Sequence, residues 1–214
     1  MDALKTIACL LYPNVMSLDL SGPLQVFASA NDERQRQGLP PFYRLLVLAE
    51  QPGAVATSAG FQLVAEQAWG ETDPAQIDTL LIPGGQGEQA QCQNSQLLAW
   101  LGDAAPQVRR LGSVCSGALI LAAAGLLDGR RATAHWSVAD DFAQRFAAVQ
   151  VDREVLYVDE GDVVTSAGTA AGMDCCLHIL RRLRGAEAAN RAARHLVIAP
   201  HRAGGQAQRL ARCQ

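Results

Sequence analysis

Cys115, in Leu111-Gly-Ser-Val-Cys-Ser-Gly-Ala-Leu-Ile120, lies between an apolar run and a segment of small residues suited to starting a helix. Ser113, Ser116 and Gly117 permit a sharp strand-to-helix turn there. Such a turn would leave the sulfur exposed at the carboxyl edge of a sheet, where open α/β sheets carry their ligand crevices. A helix N-terminus beside it would lower the thiol from its ordinary value near ~8.5, because the helix dipole favours the thiolate. The competing role is a cysteine packed as a small hydrophobe, which suits Cys9, Cys175 and Cys176 better than Cys115.

Two other segments belong at the same edge. Pro83-Gly84-Gly85 ends the apolar run Asp78-Thr-Leu-Leu-Ile82, and glycines there let backbone N–H groups approach an anion closely. Asp19, in Ser17-Leu-Asp-Leu-Ser-Gly-Pro23, falls between a first strand and a first helix. A carboxylate in that place can share a proton with the thiol or cap the helix, and the two roles are compatible. His135, before Trp136, either lines the pocket as a base or is a histidine hydrogen-bonded at a strand end.

The remaining candidates are weaker. His178 follows Asp174 by four residues, the spacing of a helical surface pair. His195 ends a helix beside Arg191 and Arg194, where a cation suits the dipole, and His201 belongs to the tail as a structural residue. Asp140 and Asp141 are adjacent on a helix, point apart and are solvated. No metal-type spacing joins the histidines and carboxylates, so neither a metal nor another cofactor is expected. The six cysteines include no Cys-x-x-Cys pair and read as free thiols.

The elements that position these residues follow from alternation along the chain. Strands are expected at Lys5–Leu11, Phe42–Ala49, Asp78–Ile82, Val108–Val114 and Val163–Ala167. Shorter ones are expected at Ala132–His135, Val149–Val151 and Val155–Val158, with a small antiparallel excursion around Val55 and Leu63. Helices are expected to open at Ser21-Gly22-Pro23, with proline in the first turn, and through Leu97–Leu101 and Ser116–Ala124. Ser137 is placed to cap another through Phe142 and Phe146, and a long helix to Arg184 precedes a last one from Ala186 to Leu196. Strands alternating with helices indicate one α/β domain: a doubly wound, mostly parallel sheet with helices on both faces, flavodoxin-like.

Composition sets the bounds. With 214 residues, half of them apolar and only 5% aromatic, the chain fits a single core in which small residues bring helices close to a sheet. Its net charge of −3 argues against the whole domain wrapping nucleic acid. Charge is nevertheless uneven: from Arg181 onward eight arginines face one acid, Glu187. Such a tail fits a solvated face and a surface for a partner equally well. The N-terminal run lacks a cleavage site and no apolar stretch approaches a membrane span, so a cytoplasmic protein without membrane contact is expected.

Taken together, Leu18-Asp-Leu-Ser-Gly-Pro-Leu-Gln-Val-Phe27, Ile82-Pro-Gly-Gly85, Val114-Cys-Ser-Gly117, Ala134-His-Trp136 and Thr165-Ser-Ala-Gly168 resemble the ThiJ/PfpI superfamily, with its class I glutamine amidotransferase-like sandwich. The resemblance implies that Cys115 is a nucleophile or redox-sensitive thiol contacted by Asp19. It also implies an anion pocket lined by Gly84, Gly85 and Ser116, with His135, Thr165 and Gly168 as further ligand-binding positions. Ser116 stands where the protease-like members have histidine, so a peptidase mechanism lacks its base.

Pro200-His-Arg-Ala-Gly-Gly-Gln-Ala-Gln208 looks like the segment that leads out of this domain in AraC-type transcriptional regulators. Residues 1–198 are accordingly read as the amidotransferase-like domain and 199–214 as an exit segment toward a DNA-binding module. The function this implies is a homodimeric sensor of a small metabolite, in which Cys115 need not turn anything over and DNA is reached only through the further module. The alternative is an isonitrile hydratase-like lyase using Cys115 as nucleophile. A third possibility is a redox sensor in which Cys115 oxidises to a sulfinate held by Asp19 and the Ser116 amide.

Overall fold

The computed structural model describes residues 4–208. Its first half runs β1 (Lys5–Leu10), α1 (Ser17–Arg36), β2 (Tyr43–Ala49), β3 (Gly53–Ala56), β4 (Gln62–Ala65), β5 (Gln67–Ala68) and β6 (Thr79–Ile82). It continues through α2 (Glu88–Gln91), α3 (Ser95–Ala104), β7 (Arg110–Val114), α4 (Gly117–Ala123), β8 (Arg131–Ala132), α5 (Ala139–Arg145) and β9 (Gln150–Val151). Last come β10 (Tyr157–Asp159), β11 (Val163–Ser166) and α6 (Ala170–Leu196). Met1, Asp2 and Ala3 lie outside the described residues, as do residues 209–214 of the exit segment with Arg209, Arg212 and Cys213.

The central strands are largely apolar because both faces of the sheet are covered. Every residue of β6 and β7 is buried. They form a seven-stranded sheet in the order β10-β11-β7-β6-β1-β2-β5. All neighbours are parallel except β10 with β11. Helices α1 and α6 pack together on one face, and α3 and α4 on the other. This is the doubly wound sandwich expected from the alternation of elements. The hairpin β3–β4 is the expected antiparallel excursion, and β8 and β9 pair parallel in a small sheet of their own.

Parallel order has a direct consequence. The carboxyl ends of β1, β6, β7 and β11 all reach one edge, and strand order reverses between β1 and its neighbours β2 and β6, the place where such sheets form a crevice.

Three local expectations are corrected. Helix α1 opens at Ser17 rather than at Ser21-Gly22-Pro23, so Pro23 lies inside the helix. Met16 N–H donates to the Gly84 carbonyl at 2.9 Å, and the chain turns into the helix immediately afterwards. Pro23 is buried, and packing against α6 outweighs the hydrogen bond it cannot donate. Ser137 does not cap α5: the cap position is Val138, and the Ser137 hydroxyl is 2.7 Å from His135 Nδ1. His178 does not pair with Asp174. Its Nε2 is 2.6 Å from Asp159 on β10, while the nearly buried Asp174 holds Arg202 of the exit segment, with Nε at 2.9 Å. Packing of α6 against the sheet and exit segment offers both side chains partners closer than each other.

The break expected after Arg184 is present as a kink at Gly185, whose φ of 88° is outside helical geometry. His195 sits in the last turn of α6, 3.8 Å from Asp32 of α1. Asp140 and Asp141 do point apart, to Arg153 at 2.8 Å and Arg145 at 3.0 Å. Among the described residues no cluster of histidine, cysteine and carboxylate residues could hold a metal, and no helix is long and apolar enough to cross a membrane.

Candidate functional site

Four loops from the shared sheet edge converge on Cys115. It follows β7 with φ of 58°, a left-handed conformation unfavourable for a side chain bearing Cβ. Neighbouring walls hold it there. A Cβ built on Gly168, after β11, would fall 2.6 Å from Cys115 Cβ. One built on Gly84, after β6, would fall 2.8 Å from the same atom. Glycine at both positions is what lets the backbone close around the thiol.

Asp19 completes the floor. It sits in the first turn of α1, fully buried, and its Oδ1 accepts a 2.8 Å hydrogen bond from Thr169 N–H. Oδ2 has no hydrogen bond of normal geometry among the described residues. Burial raises the Asp19 pKa above the ordinary carboxyl value, against lowering by the Thr169 N–H, the facing Cys115 thiol and the Gly84 N–H. Asp19 therefore keeps a buried carboxyl group beside the thiol, with Oδ1 held by Thr169 and Oδ2 without a hydrogen bond of normal geometry among the described residues.

The thiol is not the exposed, acidified group the elbow suggested. Cys115 is only 8% exposed. Burial first, and then the charge of Asp19, push its pKa up to about 12, despite the Ser116 N–H that favours the thiolate. Helix α4 is short, and removal from water outweighs its dipole. At neutral pH the site holds a protonated thiol beside a carboxyl group. Such a pair delivers a proton and a sulfur nucleophile together, or receives a ligand without reacting.

The other sequence candidates divide into two groups. Gly84, Gly85, Ser116 and Gly168 are brought to the elbow, although Gly85 N–H already donates to Ser116 Oγ at 3.2 Å. His135 is within electrostatic reach of Asp19; burial lowers its pKa, with the Asp19 charge opposing. Thr165 lies one layer back, its hydroxyl accepting a 2.8 Å hydrogen bond from Thr133 N–H.

Sequence reasoning did not single out Thr169 or Glu88. Glu88 begins α2, contacts the Cys92 thiol at 3.3 Å, and adds to the field that raises the Cys115 pKa. Its position soon after Gly85 was the available signal. Thr169 acts through its backbone, which no residue type announces.

The DJ-1/PfpI family matches residues 5–182. The chain belongs to the DJ-1/PfpI family. Over 194 residues it is 34% identical to an isonitrile hydratase of Pseudomonas putida, covering 91% of this chain and 78% of that one. It is 32% identical over 168 residues to the HTH-type transcriptional regulator CdhR of Pseudomonas aeruginosa, covering 78% of this chain and 49% of the regulator. The chain thus spans about half the length of that regulator. Among solved structures, a ThiJ/PfpI family protein from Pseudomonas syringae superposes with a TM-score of 0.80 at 31% identity, covering 94% of this chain and 77% of that one. Sequence similarity over most of this chain is therefore shared with both an isonitrile hydratase and a transcriptional regulator.

Proposed function

We propose that this DJ-1/PfpI domain is the ligand-sensing part of an AraC-type transcriptional regulator, a cytoplasmic homodimer that binds a small amine- or amide-bearing metabolite at the Cys115 elbow. Cys115 and Asp19 form the floor of the site, Gly84, Gly85, Ser116, His135 and Gly168 its walls, and Thr165 supports the His135 wall from one layer behind. DNA is reached through a further C-terminal module.

The observation that carries this reading is a short hydrogen-bonded path from the elbow to the exit segment. Thr165, paired in register with Ser113 two residues before Cys115, accepts from Thr133 N–H at 2.8 Å. Thr133 and Ala134 lead directly to His135, and both are held by Gln208. Its Nε2 is 3.3 Å from Thr133 Oγ1, 3.0 Å from the Ala134 carbonyl and 2.9 Å from the Val155 carbonyl. A ligand that moves the His135 loop must disturb the anchor of the segment leaving the domain. Sensing requires such a coupled element, biased differently by the free and bound states.

Hydrogen exchange over residues 200–208 tests this, using protein saturated with a compound found by thermal-shift screening of amines and amides. Altered protection is expected when the compound binds at the elbow. Unchanged protection at saturation would refute the sensing role.

A second reading is an isonitrile hydratase-like lyase, favoured by the protonated Cys115 thiol beside Asp19 and by the P. putida relative. The sulfur would bond to the terminal isonitrile carbon while that carbon receives the thiol proton through Asp19, giving a thioimidate. Water would then add to the carbon and the C–S bond break, releasing an N-substituted formamide and restoring the thiol. Formamide production absent from a Cys115→Ala control would establish this reading over the first.

A further inference from the structure

Tyr12, the second residue past β1, is only 3% exposed, and its side chain reaches the neighbouring loop of the same sheet edge. Its hydroxyl donates a 2.7 Å hydrogen bond to the Pro83 carbonyl, across 71 positions of sequence. Pro83 leads directly into Gly84, which closes on Cys115. The Tyr12 carbonyl meanwhile accepts from Val15 N–H at 3.1 Å, folding the chain back toward the start of α1. The phenol thus ties the loop that carries Gly84 to the loop that leads to Asp19.

These two loops are interlocked at further points. Val15 bridges Gly85, Met16 N–H donates to the Gly84 carbonyl at 2.9 Å, and Gly87 N–H donates to the Asn14 carbonyl at 3.3 Å. A side chain has no room between them: a Cβ built on Gly87 would fall 1.9 Å from the Pro13 oxygen and 3.2 Å from Tyr12 Cδ2. Backbones packed this closely shift together or not at all. Gly84 in turn lies against the elbow, where an added Cβ would fall 2.6 Å from Ser116 N and 2.8 Å from Cys115 Cβ. The Tyr12 hydroxyl adds a side-chain bond to this clasp at a buried point, one residue before Gly84.

We propose that Tyr12 is a positioning residue of the Cys115 elbow: its bond to the Pro83 carbonyl holds the Gly84 loop closed over the thiol and keeps water from it. The proposal rests on the elbow being the functional site, and on neither sensing nor catalysis as its task. Without the hydroxyl, the buried Pro83 carbonyl loses that donor, and the loop gains by turning the oxygen toward water. That movement lifts Gly84 from the Cys115 wall. Burial is the first cause of the thiol pKa of about 12, so admitting water lowers it. Asp19 and Glu88, the acids that also raise it, keep their charges, and the change reports solvation of the sulfur.

Iodoacetamide alkylation of the full chain across pH tests this, with peptide mass spectrometry reading each cysteine. Tyr12→Phe keeps the ring and removes only the hydroxyl. Cys115 is expected to react about tenfold faster than in the wild type at pH about 8, its rate profile displaced by about one unit toward lower pH. Cys9 and Cys176, both deeply buried, should stay unmodified in both proteins. Thr72→Val removes a comparable bond, from the Thr72 hydroxyl to the Ala68 carbonyl at 2.8 Å beside the edge strand β5, and should leave the Cys115 profile in place. Gly87→Ala opens the same clasp by another route and should shift the profile in the direction of Tyr12→Phe; if it misfolds, Tyr12→Phe decides. No ligand is present and the sulfur itself is read, so failure here is distinct from failure of the sensing role, which exchange over residues 200–208 decides. The proposal is overturned by an unchanged Cys115 profile in Tyr12→Phe, by an equal shift in Thr72→Val, or by Cys9 and Cys176 reacting in step with Cys115, which marks general unfolding.

Discussion

Thr169 N–H donates a 2.8 Å hydrogen bond to Asp19 Oδ1 across 150 positions of sequence. This bond joins the start of α1 to the start of α6, the two helices that pack together on one face of the sheet. It also divides the roles of the carboxyl oxygens. Oδ1 is committed to the backbone, and Oδ2 is left without a conventional partner beside Cys115. The site thereby keeps a buried carboxyl whose ionised form is poorly solvated, a cost that active and binding sites commonly carry.

That cost has a sign. The Asp19 pKa is raised in the folded protein, chiefly by burial. The unfolded chain ionises near ~3.9, while the folded chain holds its proton to higher pH. Stability is therefore lost as pH rises between the unfolded and folded values, and the full penalty persists above the folded pKa. Asp19→Asn retains an oxygen for Thr169 and removes the charge. We expect it to raise Tm at neutral pH, by about 2–4 °C for each ~1 kcal/mol of penalty relieved in a chain of this size. The gain should shrink toward zero in acid below the ordinary carboxyl pKa. Calorimetry of both proteins across that range checks it; a gain confined to acid would contradict the argument.

The same substitution should make Cys115 more reactive. Asp19 follows burial as a cause of the raised thiol pKa, which stands at about 12. Removing its charge lowers that value and enlarges the thiolate fraction, the species that is alkylated or oxidised. Iodoacetamide should modify Cys115 severalfold faster in Asp19→Asn than in the wild type at pH about 8, and dilute peroxide should follow the same order. Peptide mass spectrometry resolves Cys115 from the other cysteines. A slower reaction in the variant would mean that Asp19 acts mainly as the thiol's base.

Much of this site is legible in the sequence. The cysteine elbow, the Gly84-Gly85 loop and Asp19 all announced themselves through small residues and apolar runs, because parallel strands force their carboxyl ends to one edge. What composition could not convey was burial. Small residues around Cys115 suggested an exposed thiol, yet Gly84 and Gly168 close on it, and desolvation reverses the expected pKa shift. Helix α1 eluded the punctuation of Ser21-Gly22-Pro23 for a related reason: tertiary packing tolerates a proline that local preference would place at the start. The partners of His178 and Asp174 lie on β10 and the exit segment, beyond the reach of helical spacing.

Gly168 offers a direct probe of the close packing. Its φ is 108°, and an added Cβ would meet Cys115 Cβ at 2.6 Å. Gly168→Ala should destabilise by about 1–3 kcal/mol from backbone strain, with the steric clash in addition. It should also displace Cys115 and change its alkylation rate. Denaturant unfolding with parallel alkylation tests both effects. A variant as stable as the wild type would show that the loop relaxes freely.

The proposed homodimer makes a separate prediction. Leu18 is 46% exposed and Phe61 51% exposed. They lie on neighbouring segments, since Val15 bridges Thr57 and Thr57 N–H donates to the Phe61 carbonyl at 2.9 Å. Exposed apolar side chains on adjoining segments suit a self-complementary contact. Light scattering should give a dimer for the wild type and a monomer for Phe61→Glu. A monomeric wild type at micromolar concentration would remove the dimer from the proposal.

Gln208 provides the sharpest test of coupling between elbow and exit segment. Its side-chain amide is 3.3 Å from Thr133 Oγ1, 3.0 Å from the Ala134 carbonyl and 2.9 Å from the Val155 carbonyl. Gln208→Ala leaves those buried acceptors without that donor, a loss of about 1–3 kcal/mol that falls mainly on local opening. Amide exchange over residues 200–208 should accelerate, and exchange at Thr133–His135 should accelerate with it because the two share the anchor. Gln208→Glu should accelerate exchange at least as much as the alanine variant, since a carboxylate offers no N–H to the acceptors that surround Nε2, the Arg153 carbonyl at 3.3 Å included. Faster exchange in the exit segment with an unchanged Thr133–His135 loop would uncouple the two and leave the elbow with no route out of the domain.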